Sequence, residues 1–326
     1  MQAVGITGLG SYVPERVLTN LDLEKMVDTS DEWIVTRTGI RERRIAADDQ
    51  AASDLALPAT REAMAQAGIT SEDLDLIVVA TVSPDMPFPS TASLLQDRLG
   101  ASHAAAFDLG AGCSGFIYAL SVAAQPVASG AFRNVLVIGA EALSKITDWT
   151  DRSTCVLLGD GAGAVVLQPV EEGRGLLSFS LGSDGSGAPL LHMPAGGSRL
   201  PASEQTVRDR LHYIHMAGNE VFKFAVRILE EVALKVVGQS GLSIDQVNLI
   251  IPHQANARIV DAAAKRLNLP IERFFCNIDR YGNTSAASIP IALHEAVKAG
   301  RVQPGDLVLL VAFGAGLTWG AALLRW

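Results

Sequence analysis

Residues 107–120, FDLGAGCSGFIYAL, place a single cysteine in a glycine-rich turn. The apolar run 104–109 precedes this turn and an amphipathic stretch from Phe116 follows it, an order that predicts a strand, a tight turn and a helix. Cys113 then lies at the start of the helix, where free N–H groups and a partial positive charge lower the pKa of a thiol. The pattern alone fits a catalytic nucleophile and a buried core cysteine equally well.

Two segments, one on each side of this motif in the sequence, have similar patterns. GITSEDLDLIVVA at 68–80 and GLSIDQVNLIIPH at 241–253 both read as a turn followed by a buried strand. Each follows an amphipathic helix, which we predict at 57–67 and at 222–237. The same order at similar spacing indicates a duplicated unit.

A second correspondence supports the duplication. Gly112-Cys113 and Gly282-Asn283 each lead into a helix, and the two helices end near Gly130 and Gly300. Buried strands follow at 135–140 and 308–313. Strands that alternate with helices predict parallel strands covered by helices, here in two halves related by a pseudo-twofold axis.

The duplication places Cys113 and Asn283 at equivalent positions, so the two residues can meet where the halves pack together. His253 ends a predicted strand, which is where functional residues collect in α/β folds. Papain-like hydrolases also use Cys, His and Asn, but they are not duplicated α/β folds and their local cysteine signature is absent here.

Composition excludes several classes of protein. The chain has 326 residues, 48% of them hydrophobic, and a net charge of -9, which argues against a nucleic-acid-binding protein. The three cysteines, Cys113, Cys155 and Cys276, form neither a disulfide framework nor a zinc set and suit a reducing compartment. The first residues lack the features of a signal peptide. The apolar stretch 307–324 reads as two strands joined at Gly-Ala-Gly, rather than as a membrane span.

Four motifs together resemble the β-ketoacyl-[acyl-carrier-protein] synthase III family of the thiolase superfamily. They are FDLGAGCSGFIYAL, IPHQANARI, YGNTSAASIPIALHEAV and AFGAGLTWG, and the resemblance runs nearly from end to end. It implies a thiolase-like α/β fold of two duplicated halves, 1–175 with the nucleophile and the dimer interface and 176–326 with the histidine and asparagine. Each half would hold a mixed five-stranded sheet, in a five-layered α-β-α-β-α arrangement.

The resemblance also implies an activity. The family carries out a decarboxylative Claisen condensation of a short acyl-CoA, here acetyl-CoA as the expected primer, with malonyl-acyl-carrier protein. The product is a 3-oxoacyl-acyl-carrier protein, which initiates fatty-acid synthesis. Cys113 would carry the acyl group, His253 and Asn283 would stabilise the enolate, and the backbone N–H groups of Cys113 and Ala315 would form the oxyanion hole. No metal or redox cofactor is expected, because CoA enters as part of the substrate.

The binding residues implied by the resemblance fall into three groups. Those for CoA and pantetheine are Thr29, Trp33, Arg37, Arg152, Gly218, Phe222 and Asn256. Those of the acyl pocket are Phe88, Leu158 and Leu317, with Phe88 contributed across a homodimer interface. Those for docking the carrier protein are Lys223, Arg258 and Lys265. A cytoplasmic enzyme with no nucleic-acid or membrane partner is expected.

The primer length and three alternative functions stay open at this point. Leu158 and Leu317 replace the phenylalanines of many short-primer members, so the primer length is not fixed by the sequence. A related condensing enzyme or acyltransferase of a secondary-metabolite pathway, of the polyketide-priming or alkylquinolone type, shares the Cys-His-Asn set. Hydroxymethylglutaryl-CoA synthases add a catalytic glutamate that has no obvious match here. A non-enzymatic acyl-CoA-binding relative would lose one of Cys113, His253 or Asn283, and all three are present.

Overall fold

The computed structural model describes residues 2–326. The strands are β1 Ala3–Tyr12, β2 Arg16–Thr19, β3 Glu42–Ile45, β4 Leu76–Ala80, β5 Ala105–Leu109, β6 Val135–Glu141, β7 Gly161–Val170, β8 Gly175–Ser183, β9 Leu191–His192, β10 His215–Met216, β11 Leu249–Pro252, β12 Leu307–Gly314 and β13 Thr318–Arg325. The helices are α1 Asn20–Leu23, α2 Asp31–Thr38, α3 Ala52–Ala67, α4 Thr91–Leu99, α5 Gly115–Ser129, α6 Arg152–Cys155, α7 Glu204–Arg208, α8 Gly218–Gln239, α9 Ala257–Leu267, α10 Ile278–Tyr281 and α11 Ser288–Lys298.

Two large mixed sheets organise the molecule. The first has five strands in the order β1-β7-β6-β4-β5, with β4, β5 and β6 parallel and β7 antiparallel to both of its neighbours. The second has the order β11-β12-β13-β8, with β11 and β12 parallel and β13 antiparallel to both β12 and β8. Mixed sheets of this kind match the predicted fold class.

The second sheet has four strands, so the expectation of five strands in each half is wrong for this half. The position beside β11 is filled by a single parallel bridge between Ile250 and Phe274. The N–H of Phe275 donates to the carbonyl of Ile250 at 2.9 Å and completes this short contact. A tight turn at Ile271–Arg273 precedes the bridge and helix α10 begins at Ile278, and the short segment 274–277 between them makes only this one bridge to β11.

Five layers result from the way the helices cover these sheets. Helices α5 and α11 lie between the sheets, and one buried cluster joins Phe116 and Leu120 of α5 with Leu293 of α11 and with both sheets. Helices α3 and α4 cover the outer face of the first sheet. Helices α8 and α9 cover the outer face of the second. The predicted α-β-α-β-α arrangement is confirmed.

The internal repeat is visible in the element order. Helix α3 leads to β4 as α8 leads to β11, and α5 leads to β6 as α11 leads to β12. Helix α3 begins at Ala52, earlier than predicted, because the Asp54 carboxylate accepts the N–H of Ala51 at 2.8 Å and caps the first turn. The chain passes from the first sheet to the second between β7 and β8, and the division at 175 and 176 into two domains stays a prediction.

The apolar C-terminal stretch forms a β-hairpin, as predicted. Strands β12 and β13 pair antiparallel along their whole length, from Leu307 with Arg325 to Gly314 with Thr318. Within residues 2–326, none of the helices is both long enough and apolar enough to cross a bilayer.

Candidate active site

Cys113 lies where the sequence predicts it. Strand β5 ends at Leu109, the residues Gly112–Ser114 make one tight turn, and α5 begins at Gly115. The Ser114 hydroxyl is buried and lies 2.7 Å from the Ala111 carbonyl and 2.6 Å from the Thr318 hydroxyl. The turn that carries the cysteine is therefore tied to the start of β13 in the other half of the molecule.

Two glycine turns approach each other at this point. A Cβ atom on Gly112 would lie 2.6 Å from the backbone N of Ala315, and one on Gly314 would come still nearer to the backbone N of Cys113. Only glycine fits either position, so the close approach depends on both. It brings the backbone N–H groups of Cys113 and Ala315 to adjacent sites. Ala315 does not have a positive φ, so the backbone conformation tolerates an alanine at this position.

Asn283 is held by its backbone on one side and by its side chain on the other. Its N–H donates to the Leu157 carbonyl at 2.8 Å, and its carbonyl accepts the N–H of Gly159 at 3.0 Å. Its side-chain Oδ1 accepts the N–H of Ser285 at 2.8 Å. Because Oδ1 is occupied, the Nδ2 group is left to donate to a ligand.

His253 follows β11, as predicted, and its ring is only 2% exposed. The ring meets Phe313 edge-on, with centroids 5.4 Å apart, and its Nδ1 lies 2.7 Å from the hydroxyl of Ser288. Burial lowers the pKa of His253 to about 3, so the imidazole is neutral at pH 7. Sequence reasoning missed both contact residues: they lie inside recognised motifs, but no spacing rule singles them out.

One cavity is lined by three of the four predicted catalytic residues. A space of about 230 Å³ is lined by Cys113, Asn283 and the Ala315 turn, together with Ser285. Most of the remaining wall is apolar, and its side chains come from Val82, Leu143, Ile146, Leu157, Leu158 and Met216. His253 is not part of the lining, and its ring is held by Ser288, the first residue of α11. A thiol, a carboxamide and two backbone donors next to an apolar space suit an acyl thioester.

Two of the three predicted acyl-pocket residues lie elsewhere in the single chain. Leu158 lines the cavity, but Leu317 lines a separate hollow beside Lys223 and packs against Gly187. The backbone of Leu317 exchanges two hydrogen bonds of 2.8 Å with Asp184, which holds it on that side. Leu317 therefore does not line the Cys113 cavity of the single chain, and its role in the acyl pocket stays a prediction. Phe88 is 85% exposed, so it closes no pocket of its own chain.

The pKa of Cys113 differs from the sequence expectation. Burial raises the pKa of this thiol to about 12, whereas the helix start alone favours a lower value. A rise from 9.0 to about 12 corresponds to about 4 kcal/mol, and a helix terminus contributes at most about 2 kcal/mol. Desolvation is the larger effect, so Cys113 is a neutral thiol in the free protein at pH 7.

The predicted CoA residues cluster around one aromatic ring. The guanidinium groups of Arg37 and Arg152 lie 5.7 Å and 5.0 Å from the ring centroid of Trp33. Asn256 donates its Nδ2 to the carbonyl of Arg37 at 3.0 Å, which joins the start of α9 to the end of α2. The hydroxyl oxygen of Thr29 is buried with no hydrogen-bond partner within residues 2–326. An indole flanked by two guanidinium groups is a suitable site for a nucleotide base.

The remaining predicted residues lie on α8 and α9. Gly218 begins α8, and Phe222 lies under the guanidinium of Arg258, with 5.6 Å between the ring centroid and Cζ. Lys223 pairs with Glu220 at 2.9 Å. Arg258 and Lys265 have no carboxylate partner within the described part of the chain, so both cations are free to meet a negative surface.

Known proteins are similar to this one along the whole chain. Family models described as 3-oxoacyl-[acyl-carrier-protein (ACP)] synthase III match residues 107–185, and the C-terminal model of the same name matches residues 237–326. The β-ketoacyl-[acyl-carrier-protein] synthase III of Symbiobacterium thermophilum is 63% identical over 326 residues, which cover 100% of this chain and 99% of that protein.

Solved structures show the same similarity in three dimensions. The crystal structure of 3-oxoacyl-[acyl-carrier-protein] synthase III from Aquifex aeolicus has a TM-score of 0.92 and 53% identity, covering 99% of this chain and 100% of that one. The priming β-ketosynthase of the R1128 polyketide pathway has a TM-score of 0.92 at 37% identity, covering 99% of this chain and 96% of that one. With identity this high over its full length, the chain belongs to the β-ketoacyl-[acyl-carrier-protein] synthase III family and has its thiolase-like α/β fold.

Proposed function

We propose that this enzyme condenses a short acyl-CoA with malonyl-acyl-carrier protein, releases carbon dioxide and forms a 3-oxoacyl-acyl-carrier protein. The convergence of Cys113, Asn283 and the Ala315 turn on one apolar cavity carries this proposal. A nucleophile, a donor for an enolate and donors for an oxyanion are the groups that a thioester condensation requires. The reaction starts fatty-acid synthesis, and acetyl-CoA is the proposed primer.

The first half-reaction moves the acyl group onto Cys113. The sulfur attacks the thioester carbonyl, and the backbone N–H groups of Cys113 and Ala315 receive the developing oxyanion. Collapse of the tetrahedral intermediate breaks the carbon–sulfur bond to CoA. The departing CoA thiolate takes up one proton, which balances the proton that the Cys113 thiol loses.

The second half-reaction forms the new carbon–carbon bond. Malonyl-acyl-carrier protein loses carbon dioxide, and the bonding electron pair moves into an enolate whose oxygen accepts hydrogen bonds from His253 and Asn283. The enolate carbon attacks the acyl group on Cys113. Expulsion of the Cys113 thiolate, which regains a proton, leaves the 3-oxoacyl product on the carrier protein.

Substrate binding follows from the surrounding surfaces. The adenine of CoA stacks on Trp33 between Arg37 and Arg152, with Thr29 as a hydrogen-bond partner, while Asn256 binds the pantetheine amide. Gly218 and Phe222 line the pantetheine path at the start of α8. The acidic carrier protein docks on Arg258, Lys265 and, after its Glu220 pair opens, Lys223.

A homodimer completes the proposed enzyme. Strand β5 is an edge of the first sheet, and Phe107 on it is 38% exposed. Phe88 is the most exposed large apolar side chain in residues 2–326, and its burial in a second copy offsets that exposure. Phe88 of one protomer would then close the acyl pocket of the other. The proposed location is the cytoplasm, where the three unpaired cysteines remain reduced.

Reconstitution with purified components tests the proposal. Acetyl-CoA and malonyl-acyl-carrier protein should give acetoacetyl-acyl-carrier protein and one carbon dioxide per turnover, both measured by mass spectrometry with a labelled malonyl carboxylate. Cys113→Ala is the matched control and should give no product. Release of carbon dioxide without a 3-oxoacyl product in the wild type would contradict the condensation.

A further inference from the structure

The hydroxyl of Ser288 lies between the ring of His253 and the backbone N–H of Gln254. Ser288 is the first residue of α11, five residues after Asn283, and is 3% exposed. Its Oγ is 2.7 Å from Nδ1 of His253 and 3.3 Å from the backbone N of Gln254. Neither catalysis nor substrate binding, as described above, uses this side chain.

The direction of these two hydrogen bonds follows from the donors present. The backbone N–H of Gln254 can only donate, so the Ser288 oxygen accepts there. Within residues 2–326 the Ser288 hydroxyl has no other acceptor in hydrogen-bond range than Nδ1 of His253. The hydroxyl hydrogen is therefore directed at Nδ1, and a neutral imidazole that accepts at Nδ1 carries its own hydrogen on Nε2.

The Gln254 side chain fixes the orientation of this segment. Its Nε2 donates to the carbonyls of Pro252 and Phe275 at 2.8 Å and 3.1 Å, and its Oε1 accepts the N–H of Asn277 at 3.2 Å. Every polar atom of this side chain is thus occupied by backbone groups from two segments. These contacts hold the segment in place, and the backbone N–H of Gln254 within it donates to Ser288 at 3.3 Å.

We propose that Ser288 is a positioning residue that holds His253 in the tautomer with hydrogen on Nε2. In this state the ring donates a hydrogen bond from Nε2, which is what stabilisation of an enolate oxygen requires. The same state leaves no lone pair on Nε2 to accept the proton of Cys113. The catalytic consequence rests on the proposed function, whereas the tautomer itself can be measured without any substrate.

The tautomer is measured first, in the wild-type protein labelled with ¹⁵N-histidine. The two ring nitrogens have distinct NMR shifts, and the His253 signals are identified as those lost in His253→Gln. We expect Nε2 to carry the hydrogen and Nδ1 to be unprotonated at pH 7. A hydrogen on Nδ1 would overturn the proposal whatever the variants do.

Ser288→Ala then removes the hydroxyl donor. Loss of a buried hydrogen-bond partner predicts a roughly 10- to 100-fold fall in malonyl decarboxylation, with a shift of the His253 tautomer away from Nε2–H. Acylation of Cys113 by acetyl-CoA should change less than about twofold, because His253 has no part in that step, and this also reports that the variant is folded. Ser288→Thr, which keeps the hydroxyl, should restore the wild-type tautomer and most of the decarboxylation.

Ser180→Ala is the matched control, since Ser180 is a buried serine on β8 whose hydroxyl has no partner within residues 2–326. It should change neither the tautomer nor either half-reaction. An unchanged tautomer or unchanged decarboxylation in Ser288→Ala would overturn the proposal. A wild type with hydrogen on Nε2 that fails to decarboxylate malonyl-acyl-carrier protein would contradict the proposed function and support the tautomer assignment.

Discussion

Burial favours the neutral form of both the Cys113 thiol and the His253 imidazole. It raises the pKa of Cys113 to about 12 and lowers the pKa of His253 to about 3. The two groups therefore do not form a thiolate–imidazolium pair at pH 7 in the free enzyme, unlike the hydrolases that share the same residue types. This agrees with the separate roles that we propose, in which Cys113 carries the acyl group and His253 stabilises the enolate.

The first prediction concerns the pH dependence of Cys113. Only the thiolate reacts, and its fraction rises with pH as long as the pH is below the pKa of the thiol. The rate of alkylation of Cys113 by iodoacetamide should therefore increase about tenfold per pH unit between about pH 6 and pH 9. Mass spectrometry of the Cys113 peptide measures it, and a plateau beginning near pH 6 would show a lowered pKa instead.

The second prediction separates the two half-reactions. His253→Ala and Asn283→Ala should each raise the barrier to malonyl decarboxylation by about 3 to 4 kcal/mol, the cost of one lost oxyanion donor. Acylation of Cys113 should be affected much less, because both side chains are proposed to act on the enolate oxygen and the first oxyanion is assigned to the backbone N–H groups of Cys113 and Ala315. Single-turnover assays of each half-reaction give the comparison. Equal losses in both would point to His253 as a base for Cys113.

At the scale of elements, the proposed oxyanion site depends on the close approach of the two turns that contain Gly112 and Gly314. The third prediction is that Gly314→Ala and Gly112→Ala abolish acylation, because each methyl group would overlap the backbone of the opposing turn. Gly112 also has φ +55, which alanine rarely adopts. Gly110→Ala is the matched control, since a methyl group there meets nothing within 4 Å and the activity should remain. Acylation by Gly314→Ala at the wild-type rate would contradict this account.

Element order was predictable, whereas side-chain contacts were not. Burial of one face makes apolar residues recur at regular spacing along the sequence, and this recurrence predicts the paired helices and strands. The predicted positions of β4, β6, β11 and β12 are therefore close to their observed bounds. The missing strand beside β11 depends on a turn at Ile271–Arg273 that period alone does not reveal. The pKa of Cys113 depends on how deeply the turn is buried, which only tertiary packing determines.

Position in a motif did not predict the direction in which a side chain points. Leu158 and Leu317 both follow from the resemblance, yet only Leu158 lines the Cys113 cavity, whereas Leu317 bonds through its backbone to Asp184 and packs against Gly187. Ser288 lies in a recognised motif, but its hydrogen bond to His253 joins residues 35 positions apart. Contacts between residues so far apart in the chain depend on tertiary packing, which a single sequence does not specify.

At the scale of the whole molecule, the fourth prediction is that the protein is a dimer that selects a short primer. Sedimentation at micromolar concentration should give twice the chain mass, since Phe88 and the β5 edge need a partner.

The ratio kcat/KM should be highest for acetyl- or butyryl-CoA and should fall for octanoyl- and dodecanoyl-CoA. Phe88→Thr should shift the optimum toward longer chains, because each accommodated CH₂ gains about 0.8 kcal/mol. A monomer, or a dodecanoyl optimum in the wild type, would contradict this.

The central claim is that Cys113 carries the acyl group between the two substrates. Intact-protein mass spectrometry after incubation with acetyl-CoA tests it most directly, followed by addition of malonyl-acyl-carrier protein. The account predicts one acetyl group on Cys113, none on Cys113→Ala, and its disappearance as acetoacetyl-acyl-carrier protein forms. Acetylation at another residue, or a Cys113 acetyl group that malonyl-acyl-carrier protein does not remove, would contradict it.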